Sequence, residues 1–321
     1  MRQPILHDVG LRDGLQIEDR TVPTERKRQW IDRLATSGLD LIQVGSFVNP
    51  QKVPQMADTD VLFRELVSHP ATRRGARFTA LVLNEKGLER GMVCGVDYFC
   101  MGVSASDTHS RKNTGMSTAD ATDRIIAMGR QAAAANATVQ VSVQSAFGCG
   151  FEGPVPKDRV IDIVRRFLEA GLTTVSLADT AGHADPGQVE DLFASVLGLG
   201  PDITAACHFH DTFGLGLANV YAAWRAGVTA FEGAFGGLGG CPFTAVAAGN
   251  VCTEDVVHLF HRLGLRWDVT TRPILDVVKD AEALFERSLP GTVHRTGPIP
   301  HQGRFTGTTG GSAPAQPGTG A

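Results

Sequence analysis

Paired cysteine is missing from this sequence. Six cysteines are spread over 321 residues with no CxxC spacing, and several lie inside apolar runs, which argues against a disulfide framework and for reduced thiols in a cytoplasmic protein. The first residues, MRQPILHDVG, lack the apolar core of a signal peptide, and no apolar run reaches the roughly 18 residues of a membrane span. Long basic runs are absent too. With 30 basic and 34 acidic residues the net charge is −4, so neither a nucleic-acid nor a membrane-surface footprint is present. Small-molecule chemistry or protein contacts remain.

What is present is ample core material, 42% hydrophobic against 20% charged, and an internal repeat. ATSGLDLIQV (35–44), MVCGVDYFCM (92–101), LEAGLTTVSL (168–177) and WRAGVTAFEG (224–233) each read as a helix end, a glycine, an apolar residue and a strand. The glycine suits the left-handed residue that closes a helix, and the apolar run after it suits a strand buried on both faces. Filling the gaps gives strands near 4–9, 39–46, 77–83, 96–102, 138–145, 173–179, 203–209 and 229–234. Helices follow near 24–37, 57–68, 85–94, 117–136, 156–170, 186–198, 215–226 and 253–263. Eight alternating units with near-continuously apolar strands predict an α/β fold, the (β/α)8 TIM barrel, as one domain over 1–290. Residues 268–289 carry an additional C-terminal helix, packed on the barrel or on a second subunit; 291–321 end in a Gly/Ser/Thr/Pro/Ala tail read as mostly disordered.

Barrel chemistry sits at the carboxyl ends of the strands, and polar residues collect there. Strand 1 leads into VGLRDGLQ with Arg12, Asp13 and Gln16; strand 2 ends with Gln43 and Ser46; strand 6 ends at Asp179; strand 7 ends in HFHD; strand 8 runs into GAFGGLGGCPF with Cys241. His208 and His210, two apart on a strand, face the same side about 6–7 Å apart along it. Strands 8 and 1 are neighbours in a closed barrel, so Asp13 converges on the pair. Such a cluster holds a divalent cation or forms a hydrogen-bonded core pair, and the carboxylate favours the cation. Asp211 reads as a local helix cap, Asp179 as a turn residue or a ligand-holding carboxylate, and Asn250 as a further metal ligand or a cap for the helix near Thr253. Cys241, in a Gly-rich loop, reads as a reactive thiol carried over the pocket rather than a buried one. His7, His69, His258 and His261 have no such company.

The segments DVGLRDGLQ, SFVNPQKVPQMAD, HFHDTFGLGLAN, GLGGCPFTAVAAGN and TEDVV together resemble the 3-hydroxy-3-methylglutaryl-CoA lyase family, of the metal-dependent lyase and Claisen-synthase superfamily, from about residue 4 to about residue 290. The resemblance implies a divalent metal, Mg²⁺ or Mn²⁺, held by Asp13, His208, His210 and Asn250. It implies retro-Claisen cleavage of an acyl-CoA to acetyl-CoA and a ketone or keto acid, and a homodimer. Arg12 would stabilise the enolate, Cys241 would relay its proton, and His208 would join them as a catalytic residue; Gln16, Gln43, Ser46, Gln140 and Asp179 would bind substrate. Three positions depart from the family pattern: Gln43 stands for a Glu, Gln140 for an Arg, and Asp19 for a basic residue, with Arg20 adjacent as a substitute. The expected substrate is therefore a related 3-hydroxy-3-substituted acyl-CoA. The competing readings are a Claisen-condensing synthase of the superfamily, disfavoured by the short tail; a pyruvate-type aldolase, disfavoured by the cysteine loop; and a non-catalytic acyl-CoA-binding relative.

Overall fold

A computed structural model describes residues 3–240 and 249–299. Eight strands, β1 (Ile5–Asp8), β2 (Leu41–Ser46), β3 (Arg77–Leu81), β4 (Tyr98–Ser104), β5 (Thr138–Gln144), β6 (Thr174–Asp179), β7 (Thr204–Phe209) and β8 (Ala230–Gly233), close a barrel in sequence order. Every pairing is parallel, and β8 closes on β1 with His7 opposite Glu232. All six residues of β2 and all seven of β4 are buried, as the continuous apolar runs require of strands covered on both faces.

Around the barrel lie α1 (Thr24–Thr36), α2 (Thr59–Ser68), α3 (Glu85–Val93), α4 (Asp107–Thr114), α5 (Thr118–Ala134), α6 (Lys157–Glu169), α7 (Pro186–Leu197) and α8 (Gly216–Ala226). After β8 come α9 (Thr253–Arg262), α10 (Thr271–Phe285) and α11 (Val293–Thr296). The helices dock through one stripe each. In α6 the buried residues are Val160, Ile163, Val164 and Phe167, the spacing of a single helical face. Gly38 and Gly227, two of the repeat glycines, adopt φ of +90° and +103°, where an L side chain is strained.

Two features differ from the sequence expectation, and one open alternative is resolved. The chain between β4 and α5 forms α4, because Ser106 Oγ accepts from the His109 N–H at 3.1 Å and Gly115 closes the helix at φ +78°. The helix expected within 268–289 packs on the barrel through α1: Asp280 accepts from the fully buried Trp30 indole N–H at 2.6 Å and pairs with Arg26 at 2.5 Å. The ordered chain also continues past the boundary expected at residue 290. The Asp255 carboxylate accepts from the backbone N–H of Thr292 at 2.9 Å and of Val293 at 2.8 Å, which seats α11 on α9. The tail from 300 onward lies outside the described residues. No described helix is long and apolar enough to cross a membrane.

Candidate metal centre and active site

β1 ends at Asp8, and Gly10–Gly14 then form a π-helical turn, with Val9 O accepting from the Asp13 N–H at 2.8 Å. Such wide turns cluster at functional sites. Glycine is required because the turn presses on the chain after β8: a Cβ on Gly10 would lie 2.4 Å from the Phe235 ring, and one on Gly14 would lie 2.9 Å from Leu238 Cβ. The turn places Arg12 and Asp13 over the barrel mouth.

On β7, Cys207 and Phe209 pack into the hydrophobic core, while His208 and then His210 face the axis, as the period of two demands. Their Nε2 atoms are 3.1 Å apart, and Asp13 Oδ2 lies 3.8 Å from that of His208 and 3.6 Å from that of His210. Candidate ligand atoms of the three residues all lie within 4.8 Å of one another. A backbone bridge between His210 and Asn250 brings the amide in. Asn250 Nδ2 donates to Asp13 Oδ2 at 2.8 Å and to Leu238 O at 2.9 Å, whereas its Oδ1 is buried with no hydrogen-bond partner among the described residues. One carboxylate, two imidazoles and an orphaned amide oxygen make a donor set that fits a divalent cation.

Charge supports the same reading. Burial by itself would raise the Asp13 carboxyl, but the adjacent Arg12 guanidinium and the imidazoles hold it well below the usual range. Arg12 donates from Nη1 to Asp13 and from Nε to the Gln43 side-chain oxygen. Burial disfavours a charged His208, yet its hydrogen bond to Glu232 and the nearby Asp13 raise its pKa overall.

Glu232 escaped the sequence reading. It lies inward on β8, level with His208 on one side and His7 on the other, and its Oε2 is 2.9 Å from His208 Nδ1. The available signal was an acidic residue inside TAFEG, at the parity that faces the barrel axis. His7 is a buried core histidine: Thr79 Oγ1 is 2.9 Å from its Nε2 and Glu232 is 3.8 Å from its Nδ1.

A cavity of about 280 Å³ opens over this cluster, lined by Arg12, Asp13, Gln16, Gln43, Gln140, His208 and His210 among others. Ser46 and Asp179 are not in the lining. Ser46 is fully buried behind it, and Asp179 accepts from the backbone N–H of His183 at 2.8 Å and of Ala184 at 3.0 Å, which makes it the anchor of the turn after β6. Asp211 likewise acts locally, accepting from the Gly216 N–H at the start of α8. Arg20 points away from the site and donates to Leu284 O at 2.5 Å, so it does not replace the basic residue expected at Asp19. Cys241 lies outside the described residues, although Gly240 before it reaches the cavity wall.

Comparison with known proteins agrees with this geometry. The family model described as HMGL-like matches residues 3–280. The chain is 36% identical over 285 residues to hydroxymethylglutaryl-CoA lyase YngG of Bacillus subtilis (strain 168), covering 89% of this chain and 94% of the relative. It is 37% identical over 298 residues to (R)-citramalyl-CoA lyase of Chloroflexus aurantiacus, covering 91% and 94%. A solved HMG-CoA lyase from Acenitobacter baumannii, in complex with coenzyme A and 3-methylmalate, superimposes with a TM-score of 0.85 at 32% identity, covering 97% of this chain and 98% of that one. A barrel of this topology, matched along most of its length by carbon–carbon lyases, belongs to the HMGL-like family.

Proposed function

We propose that this protein is a divalent-metal-dependent lyase that cleaves a 3-hydroxy-3-substituted acyl-CoA to acetyl-CoA and a ketone or keto acid. The observation that carries the reading is the convergence of Asp13, His208 and His210 with the unpartnered Asn250 Oδ1 beside a cavity. Relatives named for hydroxymethylglutaryl-CoA and for (R)-citramalyl-CoA share a tertiary alcohol placed β to a thioester carbonyl, and that defines the substrate class.

A Mg²⁺ or Mn²⁺ ion held by Asp13, His208, His210 and Asn250 supplies Lewis-acid polarisation of the substrate's oxygens. In the cleavage the hydroxyl gives up its proton, its oxygen becomes the new carbonyl, and the electron pair of the adjacent carbon–carbon bond passes to the thioester α-carbon. Arg12, at the cavity wall and held between Gln43 and Asp13, supplies a fixed positive charge for the enolate. That enolate takes up one proton to become acetyl-CoA, and Cys241 is the proposed donor. His208, counted among the catalytic residues, is proposed to act through the ion that it would hold beside the reacting hydroxyl. Gln16, Gln43 and Gln140 on the cavity wall are proposed to contact the acyl branch. Working in the cytoplasm and as a homodimer completes the proposal.

The test is mass-spectrometric detection of acetyl-CoA from hydroxymethylglutaryl-CoA, citramalyl-CoA and related 3-hydroxy-3-alkyl thioesters, with Mg²⁺ or Mn²⁺ and with EDTA. EDTA-sensitive cleavage of any member is expected and identifies the acyl branch. Turnover that survives complete metal removal, or no cleavage across the panel, overturns the reading; full turnover by Cys241→Ala removes the thiol from it.

A further inference from the structure

Glu232 is a carboxylate inside the barrel, 6% exposed, and among the described residues no Arg or Lys ion pair reaches it. Its two oxygens are divided. Oε1 accepts from Gln140 Nε2 at 2.5 Å and from Ser176 Oγ at 3.4 Å, and Oε2 faces His208 Nδ1 at 2.9 Å. A deprotonated carboxylate can only accept, so the neutral His208 ring must carry its proton on Nδ1. Its Nε2 is then a bare lone pair, on the side where Asp13 and His210 stand.

We infer that Glu232 is the positioning residue of the metal centre, fixing the His208 ring as the Nδ1–H tautomer with Nε2 aimed at the cation, while Gln140 and Ser176 hold the carboxylate in place. The inference rests on the metal-dependent reading above. It gives Gln140 a task besides the acyl branch. A carboxylate behind an imidazole also makes the ring a stronger ligand, and losing such a partner weakens metal affinity by roughly 10- to 100-fold.

Glu232→Gln is the discriminating variant, because it keeps the shape and offers an amide donor to Nδ1, which favours the opposite tautomer. Two readouts apply to the full-length protein. Long-range proton–nitrogen correlation NMR of the metal-free chain, taken at a pH where the nitrogen shifts themselves show the His208 ring to be neutral, reports the tautomer; titration with Mn²⁺, followed by calorimetry or by the electron-spin signal of the free ion, reports affinity. The expected result is Nδ1–H at His208 in the wild type, Nε2–H in Glu232→Gln, and Mn²⁺ affinity lower by about 10-fold or more. Nε2–H in the wild type overturns the inference even if the variant fails to fold. So does a folded Glu232→Gln whose Mn²⁺ affinity stays within about twofold of the wild type. A wild type that shows Nδ1–H yet binds neither Mn²⁺ nor Mg²⁺ overturns the metal-dependent reading, and with it the cation role given to Glu232.

Discussion

Asn250 donates from its amide nitrogen to Asp13 at 2.8 Å and keeps its amide oxygen buried without a partner among the described residues. A buried acceptor left unsatisfied costs about 1–3 kcal/mol, and a cation beside Asp13 would remove that cost. Asn250→Ala should therefore weaken Mn²⁺ binding by roughly 10- to 100-fold, read by calorimetry on the folded protein. Unchanged affinity would reduce Asn250 to a contact that only holds Asp13.

Arg12 bridges Gln43 and Asp13 through two different nitrogens of one planar group, an arrangement that a lysine ammonium cannot copy. Arg12→Lys should lower kcat by roughly 10²- to 10³-fold, the usual loss when a preorganised charge is removed from a developing oxyanion. Steady-state kinetics with the accepted thioester checks this, and a change confined to KM would assign Arg12 to binding alone.

Gln43 contributes an amide oxygen to Arg12 where a carboxylate would contribute a charge. Gln43→Glu should tighten divalent-cation binding by roughly tenfold, the scale of one added charge at a partly shielded site, and should change which thioesters are cleaved. An unchanged substrate profile would show that the acyl branch is read elsewhere on the cavity wall.

Beneath the π-helical turn, Asp8 accepts from the Gly10 N–H at 3.0 Å and from Thr253 Oγ1 at 2.6 Å, and it has no exposed surface. Burial lifts its pKa to about 7 in the folded chain, against an ordinary 3.8. Between those values the folded state holds the proton and the unfolded state does not, so the Asp8 contribution to stability declines as pH rises from about 4 to about 7. Asp8→Asn keeps the Gly10 bond through its Oδ1, reverses the Thr253 bond by donating from Nδ2 to Oγ1, and removes the titration. Chemical-denaturation curves should show the variant gaining on the wild type as pH rises, by up to about 1.4 kcal/mol per pH unit; parallel profiles would sink the assignment.

The barrel was legible because its evidence is periodic: apolar strands and amphipathic helices recur eight times, and a glycine-closed helix end precedes four of the strands. Arg12, Asp13, His208 and His210 were legible because the ends of β1 and β7 flank β8 in the closed barrel and the two-residue strand period turns both histidines inward. Other features were harder to read. Glu232 sits in a strand called by its apolar neighbours, and its importance depends on register with β7 and β1. Asp179 looks like a ligand in sequence, but two backbone N–H groups claim it. Arg20 is adjacent to Asp19 in sequence, yet α10 draws it away from the cavity. For Asp179 the deciding fact is the conformation of the turn that follows it, whereas for Glu232 and Arg20 it is a contact across many residues, which no local window carries. The same holds for α11, whose seat on Asp255 spans 38 residues.

The hydrogen-bonded seam between β8 and β1 is where the first and last strands of the ring meet, and the candidate ligands straddle it: Asp13 follows β1, Asn250 follows β8, His208 lies on β7 and His210 just past its end. An ion held there acts as a clasp on a hoop, tying together chain segments 237 residues apart. Amides of β1 and β8 would then exchange with solvent more slowly in the metal-loaded protein than in the stripped one, while those of β4 and β5 on the far side would respond least.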